Sequence, residues 1–274
     1  MKKSTIRIAG ILCVALFVVL SLAVGQRTKE IHKTLPLNKD GELVLDTYKG
    51  SIRIDPWDRG EVDIVAKIEA DGTDRDADDA VEDTEIEIRG SDQRVSIKTD
   101  YSEVRERHSG LFGFFNVGSQ RLPFVHYTIK IPRSAEARVK DYKSESKITG
   151  MEGPLRLNTY KGEAKIFGHQ GRLDLETYKG EVEISFDKLR DDCSLETYKG
   201  EIRLQLPRGQ GFTLDADMGR RADLDSDFGL GDLRSRRRSG DERYRGDVNG
   251  GGPRVSLKSY KGEIRLREGE RKGS

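Results

Sequence analysis

Asn158-Thr159-Tyr160-Lys161-Gly162 returns eighteen residues later as Glu176-Thr177-Tyr178-Lys179-Gly180, and twenty after that as Glu196-Thr197-Tyr198-Lys199-Gly200. Outside this run stand two more copies, Asp46-Thr47-Tyr48-Lys49-Gly50 and Lys258-Ser259-Tyr260-Lys261-Gly262. Degenerate copies lie at Asp141-Tyr142-Lys143-Ser144, Asp217-Met218-Gly219 and Tyr244-Arg245-Gly246-Asp247. The tyrosines at 142, 160, 178 and 198 keep near-constant spacing, and Met218 falls twenty residues after Tyr198. Apolar residues alternate before the motif (Leu155 and Leu157, Leu173 and Leu175, Val255 and Leu257) and after it (Val182 and Ile184, Ile202 and Leu204, Ile264 and Leu266). A period of two over such short runs specifies half-buried strands, and the glycine marks a turn where a Cβ is costly.

One repeat is therefore strand, tight turn, strand and second turn. The second turn is itself glycine-rich, as in Gly168-His169-Gln170-Gly171. A unit this small cannot bury its own apolar face. Stacking units about 4.8 Å apart gives them a continuous core. The spacing predicts an all-β chain, a single-stranded β-solenoid of 18–20-residue strand-turn-strand coils. A meander of hairpins with Tyr-Lys-Gly in the loops is the competing arrangement.

The opening pair Leu43-Val44-Leu45 and Ser51-Ile52-Arg53-Ile54 precedes Asp55-Pro56-Trp57-Asp58 and an alternating run from Glu61 to Ala70. Tyr127-Thr128-Ile129-Lys130-Ile131-Pro132 leads into the repeats. With the glycine-paced copies from 141 to 206, these features make residues 35–267 resemble the bacterial putative adhesin family of repeated-strand proteins. That resemblance implies a β-solenoid-like domain of unknown function, with no catalytic residues to carry over.

The 274 residues divide into four expected parts. Residues 1–25 read as a signal peptide or an N-terminal anchor: Lys2, Lys3 and Arg7 precede the uncharged run Ile8 to Val24, and Ala23-Val24-Gly25 suits signal peptidase. Either way the remainder is exported, to the periplasm or the cell surface. Residues 26–131 form an N-terminal β region that starts the solenoid. Thr73-Asp74-Arg75-Asp76 resembles a capping box and predicts a short helix near 76–83. Residues 132–267 hold the regular repeats, with an irregular charged insert near 217–252, and 268–274 are a polar tail. The long strands of the first region and the final repeat with its tail are expected to cap the ends.

The chain carries 49 basic and 48 acidic residues, a balance that argues against nucleic acid as a partner. Cys193 is the one cysteine beyond the leader, so no internal disulfide is expected and the thiol reads as a small buried hydrophobe. No Gly-x-Ser-x-Gly, His-x-x-x-His, phosphate loop or paired cysteines occur, and His32, His108, His126 and His169 are scattered. Neither an enzyme nor a cofactor is expected. A carbohydrate-active β-helix enzyme remains a lesser alternative, since a uniform ladder builds a single site poorly.

Asp74, Asp76, Asp78 and Glu85 have the offsets of a calcium loop, but Asp79 replaces its glycine, so a solvated acidic face is expected and no metal. Asp223, Asp225 and Asp227 repeat the spacing without a following glutamate. The candidate binding surface is the motif itself: Tyr160, Tyr178, Tyr198 and Tyr260 for stacking area, Lys161, Lys179, Lys199 and Lys261 for charge. A neighbouring row of Glu163, Glu181 and Glu201 is expected to offset lysine repulsion. Such a repeated surface suits an envelope polysaccharide or another envelope protein. An alternative is an envelope-sensing component that binds a membrane protein through Leu111-Phe112-Gly113-Phe114-Phe115. Direct membrane contact is expected only through residues 8–24, if uncleaved. The arginines at 234 and 236–238 read as a solvated basic loop.

Overall fold

The computed structural model describes residues 17–21, 27–108, 121–236 and 240–269. Of the apolar leader run, Phe17–Ser21 is a strand, β1, which pairs antiparallel with β2 (Thr28–Pro36). There follow β3 (Glu42–Asp46), β4 (Lys49–Trp57), β5 (Glu61–Glu69), helix α1 (Arg75–Glu82), β6 (Glu85–Gly90), β7 (Arg94–Asp100), helix α2 (Ser102–His108) and β8 (Phe124–Pro132). The repeats supply β9 (Glu136–Asp141) and β10 (Lys143–Thr149), β11 (Leu155–Thr159) and β12 (Glu163–His169), β13 (Leu173–Thr177) and β14 (Glu181–Phe186), β15 (Cys193–Thr197) and β16 (Glu201–Leu206). The chain ends with β17 (Phe212–Met218), β18 (Asp223–Ser226), β19 (Arg234–Arg236), β20 (Glu242–Val248), β21 (Arg254–Ser259) and β22 (Glu263–Glu268).

These strands form two eleven-stranded sheets, ordered β1-β2-β5-β8-β4-β10-β12-β14-β16-β22-β18 and β19-β20-β17-β21-β15-β13-β11-β9-β3-β7-β6. The strand before each Tyr-Lys-Gly corner lies in one sheet and the strand after it in the other. Successive rungs pair in parallel: Leu155 sits beside Leu173, Leu173 beside Cys193, Ala164 beside Val182 and Val182 beside Ile202. Parallel neighbours across every corner exclude the hairpin meander, which needs antiparallel ones. The alternating apolar side chains point inward and are buried from Leu43 to Leu266 in one core, in which Cys193 takes the place of an aliphatic residue.

The rung order is not the chain order at either end. The rung β3/β4 lies between β7/β8 and β9/β10, and β21/β22 lies between β15/β16 and β17/β18. The final repeat is thus an interior rung and not a cap. Closure falls to the segment read as an irregular insert: β17 forms the outermost rung of its sheet, and β20 pairs antiparallel onto its free edge. Arg243 and Arg245 of β20 both reach Asp215 of β17, at 3.4 and 2.9 Å. At the other end β6 pairs antiparallel with β7, and β5 with β8. Antiparallel pairing of this kind covers these edges of the parallel stack, while β18, parallel to β22, is the last strand of the first sheet.

Helix α1 begins one residue earlier than its sequence pattern predicts. Asp74, not Thr73, is the N-cap, and its carboxylate accepts from the Ala77 N–H at 2.9 Å. Asp76 and Asp78 therefore lie on a helix rather than in an ion-binding loop. Asp225 and Asp227 pair with Arg267. Residues 111–115, 237 and 238 lie outside the described residues.

Candidate binding surface

Each corner is built by three motif residues with separate tasks. The threonine is buried, and its hydroxyl oxygen accepts the glycine N–H three residues on. The distances are 3.1 Å for Thr159 with Gly162, 3.0 Å for Thr177 with Gly180 and 2.8 Å for Thr197 with Gly200. Ser259 does the same for Gly262 at 3.0 Å. Asp141 replaces threonine in its rung, and its carboxylate accepts from Ser144 N–H at 2.8 Å and from the Thr159 hydroxyl at 3.1 Å. Burial pushes the Asp141 carboxyl up, and those hydrogen bonds act in the opposite direction.

At Gly162, Gly180, Gly200 and Gly262 the glycine is required for approach, not for a left-handed backbone; Gly50 alone of the full motif copies has a positive φ, 133°. A Cβ on Gly180 would lie 2.1 Å from the Gly162 carbonyl oxygen, and one on Gly262 would lie 2.0 Å from that of Gly200. Backbone bonds continue from rung to rung through the corner: Lys161 N–H donates to the Tyr142 carbonyl, Lys179 to Tyr160 and Lys199 to Tyr178, at 2.9, 3.0 and 2.9 Å.

This spacing fixes the tyrosines. Tyr48, Tyr142, Tyr160, Tyr178 and Tyr198 form one stack, with successive centroids 4.7, 4.9, 4.7 and 4.8 Å apart and ring planes within 9°. Tyr260 continues it at 5.6 Å, tilted by 40°. Tyr101 closes the opposite end edge-on to Tyr48, at 6.4 Å and 75°. All four predicted tyrosines are therefore brought together, but with their faces turned onto one another. The stack presents ring edges and hydroxyls along its length. Tyr260, 44% exposed, is the large hydrophobic side chain that stands out. Each ring pair contributes roughly 0.5–1.5 kcal/mol beyond burial. Tyr48, Tyr142 and Tyr101 belong to the stack as well. The first two were recognisable as motif copies; Tyr101 follows β7 without the motif and carried no such signal.

The tyrosine row forms one side of a groove of about 590 Å³. Its other side is the row two residues before each tyrosine, which includes Asp46, Lys140, Asn158, Glu176 and Glu196. Only the register reveals this wall, because its residue types differ from rung to rung. It partly neutralises itself: Lys140 lies 3.8 Å from Asp46, and Lys258 lies 3.0 Å from Glu196.

The four predicted lysines also stand in line, joined by Lys143. Lys161, Lys179 and Lys199 hold their ammonium groups 5.6 to 5.9 Å from the ring centroids of their own tyrosines, and Lys261 lies 5.2 Å from that of Tyr198. Among the described residues no ion pair joins the expected glutamate row to these lysines, and Glu181 pairs with no cation. Glu163 pairs with Lys165, Glu201 with Arg203 and Arg265, and Glu263 with Arg265. Among the described residues no ion pair involves Lys143, Lys161, Lys179, Lys199 or Lys261. Lys49 differs: it is paired with Asp71 at 2.7 Å and lies over Phe124. At rung spacing, neighbouring ammonium groups repel by roughly 1 kcal/mol in water.

Residues 136–267 match the model of the family described as Toastrack DUF4097. No curated protein matches the chain. A solved structure, a "putative cell adhesion protein" from Clostridium sporogenes ATCC 15579, aligns with 14% identity and a TM-score of 0.49. The alignment covers 89% of this chain and 100% of that one.

Proposed function

We propose that the chain, whose residues 136–267 match the model of the Toastrack DUF4097 family, is an exported cell-envelope protein with a structural or binding role. Its coils of 18 to 20 residues repeat one surface of tyrosine edges, lysines and glutamates toward a polymeric or protein partner. The observation that carries this reading is the unbroken corner row, in which every rung from Tyr142 to Tyr260 offers the same pair of groups. Equal weak contacts on a rigid row add through effective concentration. The same uniformity favours binding over catalysis, which needs unlike groups converging on one point. Export rests on Lys2, Lys3 and Arg7 ahead of the apolar run Ile8 to Val24. No helix among the described residues is long and apolar enough to cross a membrane.

Co-sedimentation of the chain with wall polymer, membrane and surface polysaccharide fractions tests the proposal. The expected result is pelleting with one fraction, lost when Tyr160, Tyr178 and Tyr198 are together replaced by serine in a variant that still folds. Equal pelleting of that variant would reject the corner as the binding surface.

A further inference from the structure

We propose that the partner is a linear anionic polysaccharide, laid along the corner with its charged groups on Lys143, Lys161, Lys179, Lys199 and Lys261. The inference rests on the binding role proposed above and names its ligand class. Four features of the corner select that class.

First, the row is electrostatically incomplete. These five lysines are exposed, and none shares an ion pair among the described residues. Of the carboxylates two residues beyond them, Glu163, Glu201 and Glu263 are engaged by Lys165, Arg203 and Arg265, which leaves Glu145 and Glu181 against five lysines. A protein with 49 basic and 48 acidic residues has ample carboxylate to neutralise five lysines locally, yet leaves them in line.

Second, the geometry is periodic. The residues two positions beyond the lysines pair rung to rung without slippage, Glu145 beside Glu163, Glu181 beside Glu201 and Glu201 beside Glu263. The lysines therefore recur at strand spacing, about 4.8 Å. An extended pyranose chain with one carboxylate per sugar advances by a similar step, so its charges keep a period commensurate with the lysine row.

Third, the aromatic surface suits hydroxyls. The ring faces are closed by stacking at 4.7 to 4.9 Å, so the corner offers no platform for bases, which single-stranded nucleic acid would need. It offers ring edges and a line of phenolic hydroxyls, which exchange hydrogen bonds with sugar hydroxyls.

Fourth, the opposing wall does not repel a polyanion strongly. Asp46 and Glu196 are paired with Lys140 and Lys258, and Glu176 is the remaining carboxylate of that side of the groove.

The test measures binding of the full chain to polygalacturonate and to its fully methyl-esterified form, which has the same backbone without charge. The expected result is binding to polygalacturonate alone, weakening steeply between 50 and 200 mM salt, as about three to five neutralised charges dictate. Replacing Lys161, Lys179 and Lys199 by glutamine should weaken it about tenfold or more, while Lys147→Gln with Lys188→Gln and Arg190→Gln, three exposed cations outside the row, leaves it nearly unchanged. Equal binding of the ester, or an unchanged affinity of the first variant, would overturn the anionic assignment while leaving a neutral polymer as partner. Failure to bind either polymer would overturn the anionic assignment as well. The envelope-binding role then stands or falls on co-sedimentation, which reads it independently.

Discussion

Tyr198 stacks beside Tyr260, 62 positions away, with ring centroids 5.6 Å apart. The neighbour expected from repeat spacing, Met218, is one rung further out, where it pairs with Ser259. The final repeat is therefore held on both sides, by β15 and β16 below and by β17 and β18 above. Ending the chain at residue 252 removes an interior rung and leaves β17 without its parallel neighbour. We expect such a chain to lose amide protection throughout 212–248, measured by hydrogen exchange. Were the final repeat a cap, exchange would rise only at the exposed edge.

The Gly180 position sets how closely the coils approach. A methyl group there meets the Gly162 carbonyl oxygen, which is backbone and cannot rotate away. Gly180→Ala should destabilise the chain by about 3 kcal/mol, the upper part of the overpacking range. Gly229 is the contrast, with nothing within 4 Å of its missing Cβ. Gly229→Ala should lie within about 0.5 kcal/mol of the parent. Urea midpoints of the two variants decide this.

Among the described residues Thr177 is the side-chain acceptor of the Gly180 N–H, at 3.0 Å, and is buried. Thr177→Val keeps the shape and removes the acceptor. The orphaned donor should cost about 1–3 kcal/mol in urea unfolding. Thr177→Ser should recover most of that loss, because Ser259 already performs the same task for Gly262.

His169 gives the fold a pH dependence of predictable sign. It is fully buried at the end of β12, with Nε2 3.2 Å from the Arg172 carbonyl oxygen and its ring edge-on to Phe186. Burial holds its imidazole below the ordinary value, against the pull of backbone carbonyls. The unfolded chain takes up that proton near pH 6.5, the folded chain only at lower pH. Between the two, the unfolded state binds more protons, so stability falls as pH drops. The Asp141 carboxyl acts oppositely and lower: its folded value is raised, so the folded state binds the extra proton as pH falls toward 4. Urea midpoints at pH 7 and pH 5 should differ less for His169→Leu than for the parent. An equal difference in both would assign the effect elsewhere.

The strands, their inward faces and the stacking of rungs were all legible in the alternation around Leu155, Leu173 and Val182. Rung order was legible only in part. Leu214 and Val255 carry the same apolar pattern, so either strand satisfies the core beside β15. The better clue was motif quality, since Lys258-Ser259-Tyr260-Lys261-Gly262 can form the threonine-type corner and Asp217-Met218-Gly219 cannot. Residue types gave Tyr160 as an aromatic surface, but its orientation comes from geometry. Rings on rungs about 4.8 Å apart have no room to lie flat and must face one another. The wall of Asp46, Lys140, Asn158, Glu176 and Glu196 escaped notice because register, not composition, unites it. Glu163 pairs with Lys165 because both lie in β12, two residues apart on one side of the strand, whereas Lys161 lies outside it in the corner.

A stack of this kind couples its members unequally, and the inequality is measurable. Tyr160 and Tyr178 are in direct contact, with centroids 4.7 Å apart and planes 4° from parallel. Tyr48 and Tyr198 belong to the same stack but are separated by three other rings. In double-mutant cycles to alanine, the first pair should show a coupling of about 0.5–1.5 kcal/mol. The second pair should be additive within about 0.5 kcal/mol, because distant sites without shared partners do not couple. Truncating Tyr160 also uncovers one face on each of Tyr142 and Tyr178, so ring-stacking probes should gain access at that rung. If the cycles gave equal couplings for both pairs, the rings would be responding to a shared backbone change and not to direct stacking.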